Sequence, residues 1–597
     1  MRGSEASDLP VDPGAEYERL RSSRRSCAGA ARRAEGRLAN VRLGLVAATA
    51  LSFWVLSGVP LAIRLGIPAA AFVGLLVLHD RARRALTRAD RSVAYYDRAI
   101  ARLNHDFAGH GETGAQWLIE DHPYATHLDL FGVGSLYELL CGARTSGGRE
   151  TLAGWLLTGA KPDVVIERQR AVEELRDRLD LREELATIDE RIADAFASRD
   201  IVGWATAPPL LVPGPLRVAT IGVAGATGVA ALGIGIWGTP PVAWLLLVEL
   251  ALWWRLRRRV AAVISDLERP VVALRLLRDV LARIERERFE SDGLARIERV
   301  LGAHDPPASI ELGSLLRRVD ALDWRRNQIF LPLALALMWG TNWAFAIEAW
   351  RVRHGAAIRG WIDAVGELEA LLDLATLAYE RPEYTFPDVI DGTPRLRVEG
   401  LAHPLLPSCT PNDVALDAET SLLVVTGSNM SGKSTLLRSL GTNAVLAQAG
   451  APVRARSMSM TPLSIGASIR TVDSLRDGAS RFYAEIRALK RAVDAAESRP
   501  PGLFLLDELL HGTNSHDRRM GAEAIVRAFL ARGALGIVTT HDLALAAIAD
   551  ELGPRADNRH FEFDLDGAEI RFDYRLRPGV VRSGNALAIM RAIGLEV

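Results

Sequence analysis

A run of small and polar residues that directly follows an apolar segment carries the strongest chemical signal in this sequence. In chain order it contains Gly427, Ser428, Asn429, Met430, Ser431, Gly432, Lys433, Ser434 and Thr435. The glycines allow the backbone to curl so that successive N–H groups point at one anion. Lys433 adds a positive charge, Ser434 offers a hydroxyl to Mg²⁺, and the following helix adds its positive N-terminal end. The run therefore predicts a phosphate loop that binds a nucleoside triphosphate.

Two apolar strands later in the chain end in polar residues. The first ends in Asp507 and Glu508, and the second is followed by His541. Asp507 suits a Mg²⁺ contact, whereas Glu508 suits polarisation of an attacking water. His541 can hydrogen-bond a γ-phosphate. The order of the three motifs predicts triphosphate hydrolysis, with Glu508 and His541 as catalytic residues and Ser434 and Asp507 as metal ligands.

Ser480 stands between the first two motifs, among small residues that open a helix. Small residues in this position can present N–H groups and a hydroxyl to a phosphate. An ordinary helix cap has the same composition, so chemistry alone leaves both interpretations open.

Composition limits the partners of the chain. The formal net charge is −1 and the pI is about 6.9, so no global basic field attracts nucleic acid. Cys27, Cys141 and Cys409 are scattered without a Cys-x-x-Cys pair. This pattern fits a reducing compartment and argues against disulfides and structural zinc. The first long apolar run starts only near residue 43, so we expect no cleavable secretory signal.

Two apolar blocks, 43–79 and 218–254, are each close to twice the roughly 20 residues that a membrane-spanning helix needs. Each therefore predicts a helical hairpin in the membrane. Arginines flank the blocks, which places both ends of each hairpin in the cytoplasm by the positive-inside rule. We expect a multi-pass protein of the inner (cytoplasmic) membrane. Glu249 and the glycine content of the blocks leave open a pair of buried soluble hairpins.

A third apolar run covers 329–349 and contains Gly340, Asn342 and Glu348. It is long enough to cross a membrane. We favour a buried soluble helix, because a single crossing would put residues 386–597 on the opposite side from residues 90–205.

The residues of these motifs and their order along the chain resemble the MutS family of DNA mismatch-repair ATPases, which belongs to the ABC ATPase superfamily. The similar segments near the C-terminus are the phosphate loop, 505–508 followed by 512–515, Thr540 with His541, 558–560 and 574–579. Upstream, 130–136, 145–148, Leu152 and 167–169 are similar to the helical lever that carries the ATPase domain of that family. The resemblance covers about 125–205 and 260–597.

This resemblance implies ATP and Mg²⁺ as ligands and a homodimer with two composite sites. Ser480 and residues 512–517 would complete the partner's pocket. DNA and a repair partner are implied as binding partners. The sequence contains no L-S-G-G-Q signature, which argues against an ordinary ABC transporter ATPase.

The chain departs from the family pattern at three places. The mismatch-reading domain with its Phe-x-Glu wedge has no counterpart, and the DNA-clamp insertion would fall near 205–260, where the second hairpin stands. Relatives tend to carry an adenine-stacking aromatic near the position of Cys409, so base selectivity is open.

The predicted architecture is multidomain. Helical membrane hairpins and an all-α MutS-like lever precede a C-terminal α/β P-loop ATPase domain. We expect the boundaries 1–120, 121–205, 206–259, 260–385 and 386–597. Two functions fit this architecture: a membrane-anchored MutS-like ATPase that acts on DNA or on a repair partner, and an ATP-driven membrane switch that binds no DNA.

Overall fold

The computed structural model describes residues 12–55, 60–188, 198–212, 214–302, 305–469, 481–496, 500–510, 515–541, 543–566 and 569–581. The chain divides into two compact units. The first contains Met1–Gly142, Leu152–Thr187 and Leu371–Val597, and the second contains Ala143–Thr151 and Ile188–Ala370.

The described residues are mainly helical, and most strands lie in the C-terminal third. The helices are α1 (Pro13–Val55), α2 (Leu61–Leu103), α3 (Leu136–Leu140), α4 (Ser146–Leu157), α5 (Pro162–Leu175), α6 (Leu179–Ala186), α7 (Ser198–Thr206), α8 (Pro215–Leu232), α9 (Ile234–Trp237), α10 (Pro240–Glu268), α11 (Pro270–Ile284), α12 (Asp292–Gly302), α13 (Ala308–Asp323), α14 (Leu331–Ala336), α15 (Trp339–Glu380), α16 (Lys433–Ala449), α17 (Arg481–Ala496), α18 (Ser515–Ala531) and α19 (Leu543–Leu552).

The strands are β1 (Asp388–Val389), β2 (Leu396–Leu401), β3 (Asn412–Leu416), β4 (Leu422–Thr426), β5 (Ser457–Met460), β6 (Ser464–Ser468), β7 (Gly502–Asp507), β8 (Leu535–Thr540), β9 (Ala556–His560), β10 (Phe563–Asp566), β11 (Glu569–Phe572) and β12 (Arg577–Pro578).

The first two helices form a long antiparallel hairpin in the first unit. Arg21 pairs with Asp97 at 3.2 Å near the open end of the hairpin. Nearer the turn the surface becomes apolar, and Trp54 and Ile67 are 89% and 68% exposed. The hairpin predicted at 43–79 is therefore the outer part of a longer helical pair.

A buried polar network fixes the open end of this hairpin. The Tyr17 hydroxyl donates to Oε1 of Glu380 at 3.3 Å, and Arg102 pairs with the same carboxylate at 2.6 Å. The Tyr96 hydroxyl donates to Oε2 of Glu183 at 2.7 Å. Because both carboxylates are buried, these contacts bind α1 and α2 firmly to α6 and to the C-terminal end of α15.

The second hairpin, formed by α8, α9 and α10, lies in the second unit. Thr227 of α8 donates to Oε1 of Glu249 of α10 at 2.6 Å, and both side chains are buried between the helices. Around the turn the hairpin is apolar and open, with Leu232 92% exposed. Glu249 thus has a polar partner inside an otherwise apolar pair of helices.

By length and composition, two segments of the described residues could cross a membrane, Ile63–Leu103 and Pro215–Leu232. None of the apolar window of the first is buried, and 22% of that of the second is buried. These segments are one half of each predicted hairpin. The other halves, in α1 and α10, do not meet the same criterion.

The third apolar run is not the single buried helix that we expected. It divides near Met338, whose φ is +45°, into the short helix α14 and the start of α15. Residues from Met338 onward are largely buried, whereas Ile329, Leu331 and Leu333 are exposed. Hydropathy could not separate the two halves, because an apolar side chain gives the same pattern in a protein core and on an open apolar surface.

The central sheet of the first unit has six strands in the order β12-β9-β4-β8-β7-β6. All neighbours are parallel except β12, which is antiparallel to β9. Thr426 pairs with Thr540, and Asp507 pairs with Thr539. The carboxyl ends of β4, β7 and β8 therefore meet at one edge, where α/β sheets bind ligands.

Buried apolar side chains hold the helices on this sheet. Phe504 of β7 stacks on Phe529 of α18 with ring centroids 4.4 Å apart, and Val424 of β4 and Val538 of β8 lie in the same cluster. A second sheet has the order β1-β5-β2-β3. The C-terminal region is thus α/β, as expected.

Candidate functional site

The predicted phosphate loop connects β4 to α16. Gly427, Met430 and Gly432 have φ values of +157°, +65° and +106°. A Cβ atom on Gly427 would lie 2.8 Å from Oγ of Ser431 and 3.1 Å from the carbonyl oxygen of Phe561. The loop therefore needs glycine at position 427 for space as well as for backbone conformation.

Lys433 begins α16 and is 5% exposed. Its Nζ donates to the carbonyl oxygens of Gly427 and Ser428 at 2.8 and 2.9 Å. Burial lowers the pKa of Lys433, and the charges of Glu508 and Asp507 oppose that shift. The lysine is thus bound to the loop that it follows, beside two carboxylates.

Ser434 and Asp507 lie together, as the metal-ligand prediction requires. Oγ of Ser434 donates to Oδ2 of Asp507 at 2.5 Å, and the hydroxyl of Thr539 donates to Oδ1 of the same carboxylate. A hydroxyl and a carboxylate at the edge of the loop form a small oxygen ligand set, which suits Mg²⁺ because this ion keeps several waters and phosphate oxygens as its other ligands. Among the described residues there is no group of three or more His, Cys, Asp and Glu side chains that could hold a metal ion.

Glu508 and His541 face each other at the carboxyl edge of the sheet. Nδ1 of His541 lies 3.4 Å from Oε1 of Glu508, and Nζ of Lys433 lies 3.9 Å from the same oxygen. Glu508 has φ of +48°, a conformation that is strained for a side chain of this kind. Its N–H donates to the carbonyl oxygen of Thr539 at 3.1 Å, which fixes the turn that directs the carboxylate away from the strand.

The loop lines a cavity of about 1160 Å³. Besides the predicted residues, the cavity is lined by Cys409, Glu485, Phe561 and Tyr574. The ring of Tyr574 lies against the loop, because a Cβ atom on Gly432 would be 3.3 Å from its Cδ1. The cavity is thus large enough for a nucleotide and has an aromatic side chain beside the loop.

Two hydroxyls of the loop lack a hydrogen-bond partner among the residues that the structure describes. Oγ of Ser428 and Oγ of Ser431 are buried and make no hydrogen bond to any described residue. A buried polar atom without a partner is unfavourable by about 1–3 kcal/mol. Phosphate oxygens at the loop would accept hydrogen bonds from both hydroxyls, so the residues present fit a bound triphosphate.

Comparison with protein-family models gives one assignment for this region. Residues 423–596 match MutS domain V. The match starts in β4 and includes the phosphate loop, Asp507, Glu508 and His541.

Curated relatives agree with this assignment. The chain is 36% identical over 194 residues to the endonuclease MutS2 of Thermus thermophilus, which is 32% of this chain and 25% of that protein. It is 34% identical over 243 residues to the DNA mismatch repair protein MutS of Natronomonas pharaonis, which is 39% of this chain and 27% of that protein. It is 33% identical over 245 residues to the DNA mismatch repair protein MSH3 of Phaeosphaeria nodorum, which is 39% of this chain and 22% of that protein.

These matches support the MutS family for the C-terminal region. The chain spans about a quarter of the length of these relatives. The hairpins lie outside the part matched to MutS domain V, and none of these comparisons bears on a membrane anchor.

The structure brings most of the predicted site residues together. Residues 427–435, Asp507, Glu508 and His541 converge on one edge of the sheet. Ser480 and residues 512–514 lie outside the described residues, so their predicted role in a partner's pocket stays a prediction.

Sequence reasoning missed three residues of the site. Thr539 holds the carboxylate of Asp507, and the buried carboxylate of Glu485 accepts the N–H of Leu510. Tyr574 reaches the loop from the segment after β11. The position of Thr539, one residue before the end of an apolar strand, could have been recognised in the sequence. The roles of Glu485 and Tyr574 depend on contacts between distant segments and could not.

Proposed function

We propose that this chain is a MutS-like enzyme that binds ATP with Mg²⁺ and hydrolyses the γ-phosphate. The observation that carries the proposal is the meeting of Lys433, the Ser434–Asp507 pair and the Glu508–His541 pair at one phosphate loop. Each of these groups has a distinct task in phosphoryl transfer, and their convergence is difficult to explain by packing alone.

The proposed roles follow from the contacts. Lys433 would exchange its two carbonyl partners for β- and γ-phosphate oxygens. Ser434 and Asp507 would hold Mg²⁺, which neutralises the charge that develops on the phosphates. Glu508 would orient an attacking water and accept its proton. His541, hydrogen-bonded to Glu508, would contact the γ-phosphate and position that carboxylate.

We infer a homodimer with two composite sites in which Ser480 and residues 512–517 of one protomer complete the pocket of the other. The resemblance to MutS proteins supports this arrangement. Under this proposal, ATP-driven motion of the dimer is coupled to DNA or to a repair partner, as in a mismatch-repair-like protein. Since the net charge is −1, DNA binding would rely on a local basic patch and would weaken steeply with salt.

We further propose that both hairpins anchor the protein in the inner (cytoplasmic) membrane, with the ATPase region in the cytoplasm. The supporting observations are the exposed apolar ends of α1–α2 and α8–α10, and the arginines that flank them. Side chains such as Trp54 and Leu232 would be unfavourable in water and favourable in lipid.

A second candidate function has its own support. The resemblance to MutS proteins implies a DNA clamp near 205–260, where this chain has its second hairpin, and it implies a mismatch-reading domain for which we find no similar segment in the sequence. The protein would then be an ATP-driven membrane switch that binds no DNA.

Steady-state ATP hydrolysis by the full chain in lipid nanodiscs tests these proposals, with Lys433→Ala as the blank. Turnover is compared without DNA and with homoduplex, mismatched and branched DNA at two salt concentrations. Salt-sensitive stimulation by one DNA supports the MutS-like function and names its substrate. Turnover that no DNA alters supports the membrane switch, and turnover equal to that of the blank contradicts the ATPase itself.

A further inference from the structure

The segment between α13 and α15 presents an apolar surface that no described residue covers. Ile329, Leu331, Leu333 and Leu335 are exposed, Ile329 by 93%. The buried residue of α14 is Ala334, so the large side chains point outward and the small one points inward. Exposed apolar area is unfavourable by about 25 cal/mol per Å², so an apolar partner that covers this surface would stabilise it.

The segment is too short to cross a bilayer. Residues 329–335 extend about 10 Å as a helix, whereas the hydrocarbon core is about 30 Å thick. Before the segment, Arg326 pairs with Glu268 of α10 at 2.8 Å. After it, Phe345 of α15 is buried in one cluster with Leu256 of α10. The chain therefore leaves the base of the second hairpin and returns to it.

The base of this hairpin has the composition of a membrane interface. On α10, the guanidinium of Arg257 lies 3.9 Å from the ring centroid of Trp254, and three further arginines stand within two residues of Arg257 in the sequence: Arg255, Arg258 and Arg259. Tryptophan and arginine are enriched at the level where a helix enters the headgroup region, and basic residues attract anionic lipids.

Aromatic rings also surround Phe330 of the segment itself. Phe330 lies edge-on to Trp324 and Trp339, with ring centroids 5.9 and 5.0 Å away, and Trp339 in turn contacts Trp343 at 5.7 Å. Helix α14 also packs against α8 of the same hairpin. The exposed leucines thus lie beside the second hairpin.

We propose that residues 329–335 form a re-entrant segment that inserts into the interfacial layer of an anionic lipid bilayer beside the second hairpin. This inference rests on the proposed membrane anchoring and is independent of ATP hydrolysis. Lipid fits better than a protein groove because the hairpin beside the surface carries an arginine cluster and the segment carries aromatic rings, a composition that matches lipid headgroups.

Site-directed spin labelling of the full chain tests the proposal. Cys27, Cys141 and Cys409 are replaced by serine, and single cysteines are introduced as Leu333→Cys, Trp244→Cys and Ile310→Cys. Trp244 is an exposed residue of the second hairpin, and Ile310 is an exposed apolar residue of α13 that serves as the matched control. Each label is measured in nanodiscs of phosphatidylcholine and phosphatidylglycerol for collisions with oxygen, which partitions into lipid, and with a water-soluble nickel chelate.

The expected result is a several-fold higher ratio of oxygen to nickel collisions at 333 and 244 than at 310. A label at 333 that behaves like 310, with 244 in lipid, overturns the re-entrant segment and leaves the anchor intact. A label at 333 that neither reagent reaches shows a protein partner or a second copy, which also overturns it. Water-like values at both 333 and 244 reject the membrane anchor and the segment with it.

Discussion

Nζ of Lys433 lies 3.9 Å from Oε1 of Glu508, so the lysine that would bind phosphate and the carboxylate that would orient water share one corner of the site. Lys433 is held there by two backbone carbonyls of its own loop. A polyanion at the loop would attract Lys433 away from Glu508, and the carboxylate of Glu508 would keep its contact with His541. Substitution of Lys433 should therefore affect ATP binding, whereas substitution of Glu508 should affect turnover.

We expect Lys433→Ala to weaken ATP binding by about 100-fold, which corresponds to the loss of about 3 kcal/mol of charge-assisted contact. Equilibrium binding of a fluorescent ATP analogue measures the change. Lys490→Ala is the matched control, because Lys490 is an exposed lysine of α17 that pairs only with Asp494 in the described residues. Equal affinity of the two variants would show that phosphate is bound elsewhere.

Glu508→Gln should retain ATP binding and lower the rate of hydrolysis by at least about 100-fold, because glutamine keeps the shape of the side chain and cannot accept a proton. Single-turnover hydrolysis with a parallel binding measurement separates the two effects. Glu523→Gln on the surface of α18 is the control. Turnover retained in the Glu508 variant would remove this residue from the role of catalytic base.

Tyr574→Ala should weaken ATP binding by about 3- to 10-fold, since an aromatic stacking contact contributes about 0.5–1.5 kcal/mol. The phenol ring lies beside the loop, across the cavity that Cys409 also lines. Tyr574→Phe keeps the ring and should bind ATP as the unaltered protein does. The idea fails if the alanine and phenylalanine variants bind equally well.

The free energy of unfolding should depend on His403 between pH 6.5 and 4. Burial, with the nearby charges of Arg438 and Arg454, lowers the pKa of His403 to about 4. The folded state then binds fewer protons than the unfolded state in this range, so the free energy of unfolding decreases as the pH falls. This group alone accounts for a loss of up to roughly 3 kcal/mol.

Thermal unfolding as a function of pH measures this effect. The backbone N–H of Leu405 donates to Nδ1 of His403 at 3.2 Å. In His403→Asn, the side-chain amide oxygen can still accept this hydrogen bond. The variant should lose less stability on acidification than the unaltered protein. His110→Asn, at an exposed histidine, should leave the acid sensitivity as it is. An identical pH profile for the His403 variant would contradict the assignment.

Gly441→Ala should destabilise the first unit by about 1–3 kcal/mol through overpacking. A Cβ atom there would lie 2.6 Å from Cδ2 of Leu128 and 2.8 Å from Cδ1 of Leu505. Gly154→Ala is the control, because Gly154 is an exposed helical glycine with nothing within 4 Å of its Cβ position. It should instead stabilise the protein by about 0.5–1 kcal/mol. Chemical denaturation distinguishes the two, and equal effects would show that the contact is relieved.

The sequence allowed the phosphate loop and its companions to be predicted because a general rule links strand ends to function. Asp507 and His541 each follow an apolar strand, and the carboxyl ends of parallel strands meet at one edge. Tyr574 was beyond this kind of reasoning. It reaches the loop because Asn412 binds its carbonyl oxygen at 3.0 Å and accepts the N–H of Leu576 at 2.7 Å, contacts that join segments far apart in the chain.

The fold of the helical region was predictable only in part. The apolar blocks allowed both hairpins to be located, because helices rich in exposed leucine and tryptophan are unfavourable in water and their composition stands out in the sequence. The division of the third block near Met338 could not be predicted, because apolar residues occur on both sides of it and hydropathy does not show that Ala344 and Phe345 pack into a buried cluster.

The buried carboxylate of Glu380 has a mechanical consequence. It holds Tyr17 of α1 and Arg102 of α2 at the last residue of α15, and the first strand of the α/β region starts at Asp388. A tensile load on the first hairpin would therefore reach, through two hydrogen-bonded side chains, the residue at which the chain leaves α15 for the α/β region.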